Sequence, residues 1–159
     1  MTVCLDILAI IAALNIAVIF GTDMLGALVM RRTYAEVDDH ALTQVAGRSH
    51  YWAGRRMPIP GITSVVATTA AGAVAFATGH ALAGTITAIG LVCLLTWLAL
   101  FNRISLPINK ELIAATETGE IPPNLRDLQR RWDSIVVLRA TLQGIALLAV
   151  CLVLAIAGH

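Results

Sequence analysis

"IVVLRATLQGIALLAVCLVLAIA", residues 135–157, is a run of apolar side chains long enough to cross a bilayer, interrupted near its start by Arg139. About 20 apolar residues in helical form match the thickness of a hydrocarbon core. Three further runs have this character, at roughly 7–30, 61–78 and 82–101. Of the 159 residues, 58% are hydrophobic and 13% charged. An ordinary soluble domain carries about 25% charged residues. The sequence therefore predicts an all-α, four-helix transmembrane bundle, a single integral membrane domain over 1–159. No Lys or Arg precedes the first run, so it is expected to stay as a span and not to act as a cleaved signal.

The net charge is only +1, so nucleic acid is not an expected partner. Cys4, Cys93 and Cys151 are scattered, without a C-x-x-C pair. They read as small apolar fillers, not as redox centres.

Basic residues lie in or beside two loops. Arg31, Arg32, Arg48, Arg55 and Arg56 belong to the first, and Arg103, Lys110, Arg126, Arg130 and Arg131 to the third. The positive-inside rule then predicts both long loops in the cytoplasm and both termini outside, in the cell (inner) membrane.

Thr33-x-x-Glu36 has the form of a capping box, and Ala41, Leu42 and Val45 follow at helical spacing. A short cytoplasmic helix near the membrane surface is expected there, with Tyr51 and Trp52 close to the interface. Pro122-Pro123 is expected to break a helix and Asn124 to cap the next. From Leu125 the pattern stays helical to about 157, on the order of 48 Å. On the second run Thr63, Ala67, Ala71, Ala75 and Gly79 recur at i+4, a small-residue face suited to close helix packing. That face could serve within the bundle or join two copies as a homo-oligomer.

Ionisable groups within a membrane usually face a bundle interior or a water-filled cavity. Asp23 and Arg139 are both expected in the half of the bundle nearest the basic loops. Thr63, Ser64, Trp97 and Asn102 approach the same level. Trp132, Arg139 and Gln143 share one face of the last helix, and Asn15, Thr22, Asp23 and Gly26 one face of the first. If these faces meet, Asp23 offsets the charge of Arg139. A purely structural pair, or an Arg139 that snorkels to the interface, is the simpler alternative. Asn15, Thr22, Asn102 and Gln143 exceed what one ion pair needs, which favours a polar ligand pocket, with His50 of "GRSHYWAGRR" (47–56) as its cap. His40 and His50 are ten apart with no zinc-like spacing, and "EVDDH" (36–40) reads as a solvated face. No Gly-rich phosphate loop or serine nucleophile motif is present.

"FNRISLPINKELIA" (101–114) and "LRDLQRRWDSIVVLRATLQ" (125–143) resemble a family of small four-span membrane proteins described as anthrone oxygenase-like. The resemblance is carried by a Pro-x-Asn element at Pro107 and Asn109, and by Arg131, Trp132, Arg139 and Thr141. It implies a monooxygenase that oxidises an anthrone-like polycyclic phenol with O2, without a cofactor. Asp23 or His50 would be the base and Arg139 the stabiliser of the resulting anion. Asn15, Thr22, Trp97, Asn102, Asn109, Trp132 and Gln143 would contact the substrate, a hydrophobic small molecule or lipid drawn from the membrane. Two other readings stand beside it. One is a non-enzymatic lipid- or quinone-binding module or complex subunit. The other is a haem or copper membrane protein using His40 and His50.

Overall fold

A computed structural model describes residues 3–157, which are helical throughout apart from short turns. In chain order the helices are α1 (Val3–Leu25), α2 (Arg31–Glu36), α3 (Asp39–Arg56), α4 (Pro58–Ala77), α5 (Ala81–Leu100), α6 (Leu106–Thr118) and α7 (Leu125–Ala157). Four stretches are long and apolar enough to cross a membrane: Val3–Glu36, Pro58–Ala77, Ala81–Thr118 and Leu125–Ile156. The protein is a multi-pass membrane bundle.

The first and third of these stretches outrun the apolar segments that define them, because the helix carries on through a wide turn instead of stopping. At Gly26–Met30 the Arg31 N–H donates to Gly26 O, and at Phe101–Ser105 the Leu106 N–H donates to Phe101 O. Each of these bonds spans five residues, one more than in an α-helix, which locally widens the helix.

α1, α4, α5 and α7 form the membrane part, with α4 against α1 and α5, and α7 against the same two helices. Three apolar layers stack along it. Leu5, Ala71, Ala75, Ala83 and Val153 form the layer near the short α4–α5 turn. Ala12, Ile16, Ala67, Leu94 and Ala146 belong to the central layer. Tyr34, Leu42, Ala46, Ile108, Leu112 and Leu128 belong to the layer at the basic end. The small face of α4 is spent inside one chain, with Ala67, Ala71 and Ala75 buried between neighbouring helices.

The basic end departs from expectation in two places. Thr33 does not open a helix. It lies inside α2, where its hydroxyl donates to Val29 O at 3.2 Å. Because α1 runs on through the wide turn, no free N–H waits at Thr33 to be capped. The break falls at Val37, which is extended, and Asp38 caps α3 by accepting the Ala41 N–H at 2.8 Å. The helix expected in the first long loop is α3, and it packs onto α6. Its Leu42 and Ala46 pack with Ile108 and Leu112 of α6, and Gly47 lets the two backbones close up around Thr116. Lastly, α6 ends at Gly119, whose φ of 76° is left-handed, before the prolines are reached. Asn124 does precede α7, but its side-chain amide donates to Glu111 instead of capping.

Arg126 locks this end. Its guanidinium donates to Asp39 Oδ1 at 2.7 Å, Tyr34 O at 2.8 Å and Val37 O at 2.7 Å, holding the α2–α3 break against α7.

Candidate functional site

Between the central layer and the basic-end layer lies a cavity of about 650 Å3. Residues of both wide turns, the α3–α4 junction and α7 line it, so every irregularity in the long helices falls at its level. Wide turns of this kind are frequent at functional sites. Gly26 in the first turn leaves room for an indole, since a Cβ there would come 3.0 Å from Trp132 Cη2.

The charged centre is built from three elements. Arg139 on α7 donates through Nη2 to Asp23 Oδ1 on α1 at 2.7 Å and through Nη1 to Ser105 Oγ in the second wide turn at 2.7 Å. Gln143, one helical turn along α7, donates to Asp23 Oδ2 at 3.0 Å. All four side chains are buried. Taking an ion pair out of water is costly unless the remaining lone pairs and protons are also bonded. Here both carboxylate oxygens are bonded and two of the three guanidinium nitrogens.

The third nitrogen is not bonded. Arg139 Nε, Trp132 Nε1, Asn109 Oδ1 and Gln143 Oε1 are buried without a hydrogen-bond partner, and all four residues line the cavity. Buried polar atoms are nearly always bonded, and each that is not costs about 1–3 kcal/mol. With Trp97 Nε1, three donors and two acceptors are thus left unpaired on residues that line one space.

Aromatic planes surround the guanidinium. Arg139 Cζ lies 5.3 Å from the Phe101 ring centre and 5.8 Å from that of Trp132, and Trp97 stacks on Phe101 at 6.2 Å. His50 on α3 packs 5.7 Å from Trp132. Burial, and secondarily the Arg139 charge, push its pKa down to about 4, so the imidazole is neutral at pH 7. Ile19, Val65, Leu98 and Ile113 supply apolar wall.

Of the residues expected at the site, Asp23, Arg139, His50, Thr22, Trp97, Asn102, Asn109, Trp132 and Gln143 all line this cavity. Asn15 does not. Its amide turns back to Ile11 O at 2.8 Å, two helical turns below Asp23, so the polar face of α1 reaches the cavity only at its upper end. The Thr22 hydroxyl donates to Val18 O at 2.9 Å, leaving only its acceptor side for a ligand. Ser105, Tyr34, Ser49 and Gln129 also reach the site and were not foreseen from the sequence. For Ser105 the only signal was a hydroxyl a few residues past the third apolar run.

His40 and His50 sit ten residues apart on one unbroken helix, about 15 Å along its axis. They cannot share a metal or a haem. Among the described residues no group of three His, Cys, Asp or Glu side chains is placed to hold a metal ion.

Comparison with protein-family models, curated proteins and solved structures finds no match to this chain.

Proposed function

We propose that this protein is a membrane-embedded, cofactor-independent oxygenase acting on an anthrone-like polycyclic phenol. The observation that carries the reading is the set of unbonded buried donors, Arg139 Nε and Trp132 Nε1, on residues that line an aromatic-walled cavity of about 650 Å3. Flat rings fit such walls, and two N–H groups beside a fixed positive charge suit an oxygen that becomes an anion. The sequence resemblance to anthrone oxygenase-like proteins points the same way.

In this reading the neutral His50 imidazole takes a proton from the ring CH2, and the electron pair moves to the oxygen held by Arg139 and Trp132. The carbanion-like carbon then bonds to O2, which is thereby reduced, and a proton completes a hydroperoxide. Loss of water, with the second C–H proton and cleavage of the O–O bond, leaves the quinone carbonyl. Asp23 is less suited to act as the base, because Arg139 and Gln143 occupy both its oxygens. It positions Arg139 instead. O2 uptake by the purified protein with anthrone, compared with Arg139→Ala and His50→Ala, tests this. Equal rates in all three would leave the second reading, a non-enzymatic quinone-binding module, which the same donors and ring planes also suit.

We further propose that the basic end faces the cytoplasm, with both termini outside the cell membrane, because the Arg and Lys residues cluster in and beside the two long loops. An Arg48→Cys variant without the native cysteines should react with an impermeant maleimide only in inverted vesicles. Labelling only in intact cells would reverse the topology.

A further inference from the structure

We infer that the cavity opens sideways into the bilayer, in the leaflet nearest the basic end, through a window framed by Leu25, Pro58, Ile62 and Val66. An apolar ligand can then enter directly from lipid. This rests on the ligand-site reading above for what passes through, and adds the route.

Two observations locate the opening. Ile62 and Val66 are 65% and 60% exposed, and Leu25 is 54% exposed, yet all three line the cavity. Side chains that do both mark a rim, and here the rim is aliphatic. Ile62 and Val66 lie about 6 and 12 Å beyond the start of α4, inside the membrane part of the bundle. The end nearest the basic loops is closed only in part, since exposed Ser49, Gly54 and Lys110 also line the cavity there. Tyr34 and Gln129, which line the cavity there, are each 6% exposed. Leu42, Ala46, Ile108 and Leu112 pack above them.

The chain path explains the gap. α4 begins only at Pro58, whereas the helices begun as α1 and α5 carry on through the wide turns into α2 and α6, and α3 packs against α6 instead of continuing the line of α4. A helix start facing hydrocarbon would normally strand its first N–H groups. Pro58 and Pro60 have none to strand, and the Gly61 N–H is bonded to Met57 O at 3.0 Å. Exposed Asn102 and Lys110 also line the cavity and give it a polar edge. The molecule it suits is a flat apolar ring system with one polar end, dissolved in the bilayer.

Tryptophan quenching tests the window without any ligand. Trp97 lies behind it, its ring 3.6 Å from where a Cβ of Gly61 would be. A Trp52→Phe protein keeps Trp97 and Trp132 as reporters, and is reconstituted in phosphatidylcholine vesicles with or without bromine on the acyl chains. Lipid-borne bromine should quench strongly and aqueous acrylamide weakly. Ile62→Phe with Val66→Phe, at sites already exposed, should remove most of the bromine effect. Strong acrylamide quenching with little from bromine, or bromine quenching unchanged in the double variant, would overturn the window. Absence of binding by 1-hydroxyanthraquinone, with the quenching pattern intact, would remove the ligand reading and leave the window standing.

Discussion

Arg139 and Asp23, 116 residues apart in sequence, meet at 2.7 Å in the buried centre of the bundle. Neither is tenable there alone. Removing one partner of a buried pair typically costs about 3–5 kcal/mol, since it strands the other charge. Asp23→Ala and Arg139→Ala should each lower thermal stability in detergent by an amount of that order. The double variant should recover part of the loss and no O2 uptake. Recovery should be incomplete, because Ser105 and Gln143 lose their partners too. Simple addition of the two losses would mean the pair is not coupled.

The join between α3 and α6 depends on a missing side chain. A Cβ on Gly47 would overlap Thr116 Oγ1 and come 2.5 Å from Leu112 O, a backbone atom that cannot step aside. Gly47→Ala should therefore destabilise by about 1–3 kcal/mol. Gly54, on the same helix, has nothing within 4 Å of its Cβ position. Gly54→Ala should be neutral or stabilise by about 0.5–1 kcal/mol through helix preference alone. Paired melting curves read both.

His50 makes stability depend on pH in a definite direction. Its pKa is lowered from 6.5 to about 4 by burial and by Arg139. Below pH 6.5 the unfolded chain gains a proton that the folded chain refuses, so stability falls as pH drops toward 4. Above pH 6.5 the group is neutral in both states and contributes no slope. The loss across that window is about 3 kcal/mol. Melting temperature followed from pH 8 to pH 4 should decline less in His50→Asn than in the parent protein. Parallel curves would show that His50 is not the group that titrates.

On α4, Ala71 is 1% exposed while Ala73 faces outward. Ala71→Leu should force α4 from its neighbours and cost about 1–3 kcal/mol. Ala73→Leu should leave the melting temperature unchanged. Equal effects would place the small-residue face elsewhere.

Much of this architecture is local and was therefore legible along the chain. The length of an apolar run decides whether it spans, which is why four spanning helices follow from composition alone. The expense of a charge in hydrocarbon made Arg139 require a partner, and depth along the helices singled out Asp23. Helical period put Trp132, Arg139 and Gln143 on one face, and the cavity gathers all three.

Tertiary structure decided what depends on rotation and register between distant segments. Asn15 shares a helical face with Asp23, yet bonds to its own backbone and misses the cavity. Ser105 completes the Arg139 centre only because a wide turn re-aims the chain after Phe101. α3 packs onto α6 because Gly47 permits contact with Thr116, a fit that neither segment reveals alone. Apolar length is a property of one segment. A cavity is the space left between several, and its lining is fixed only when all of them are packed.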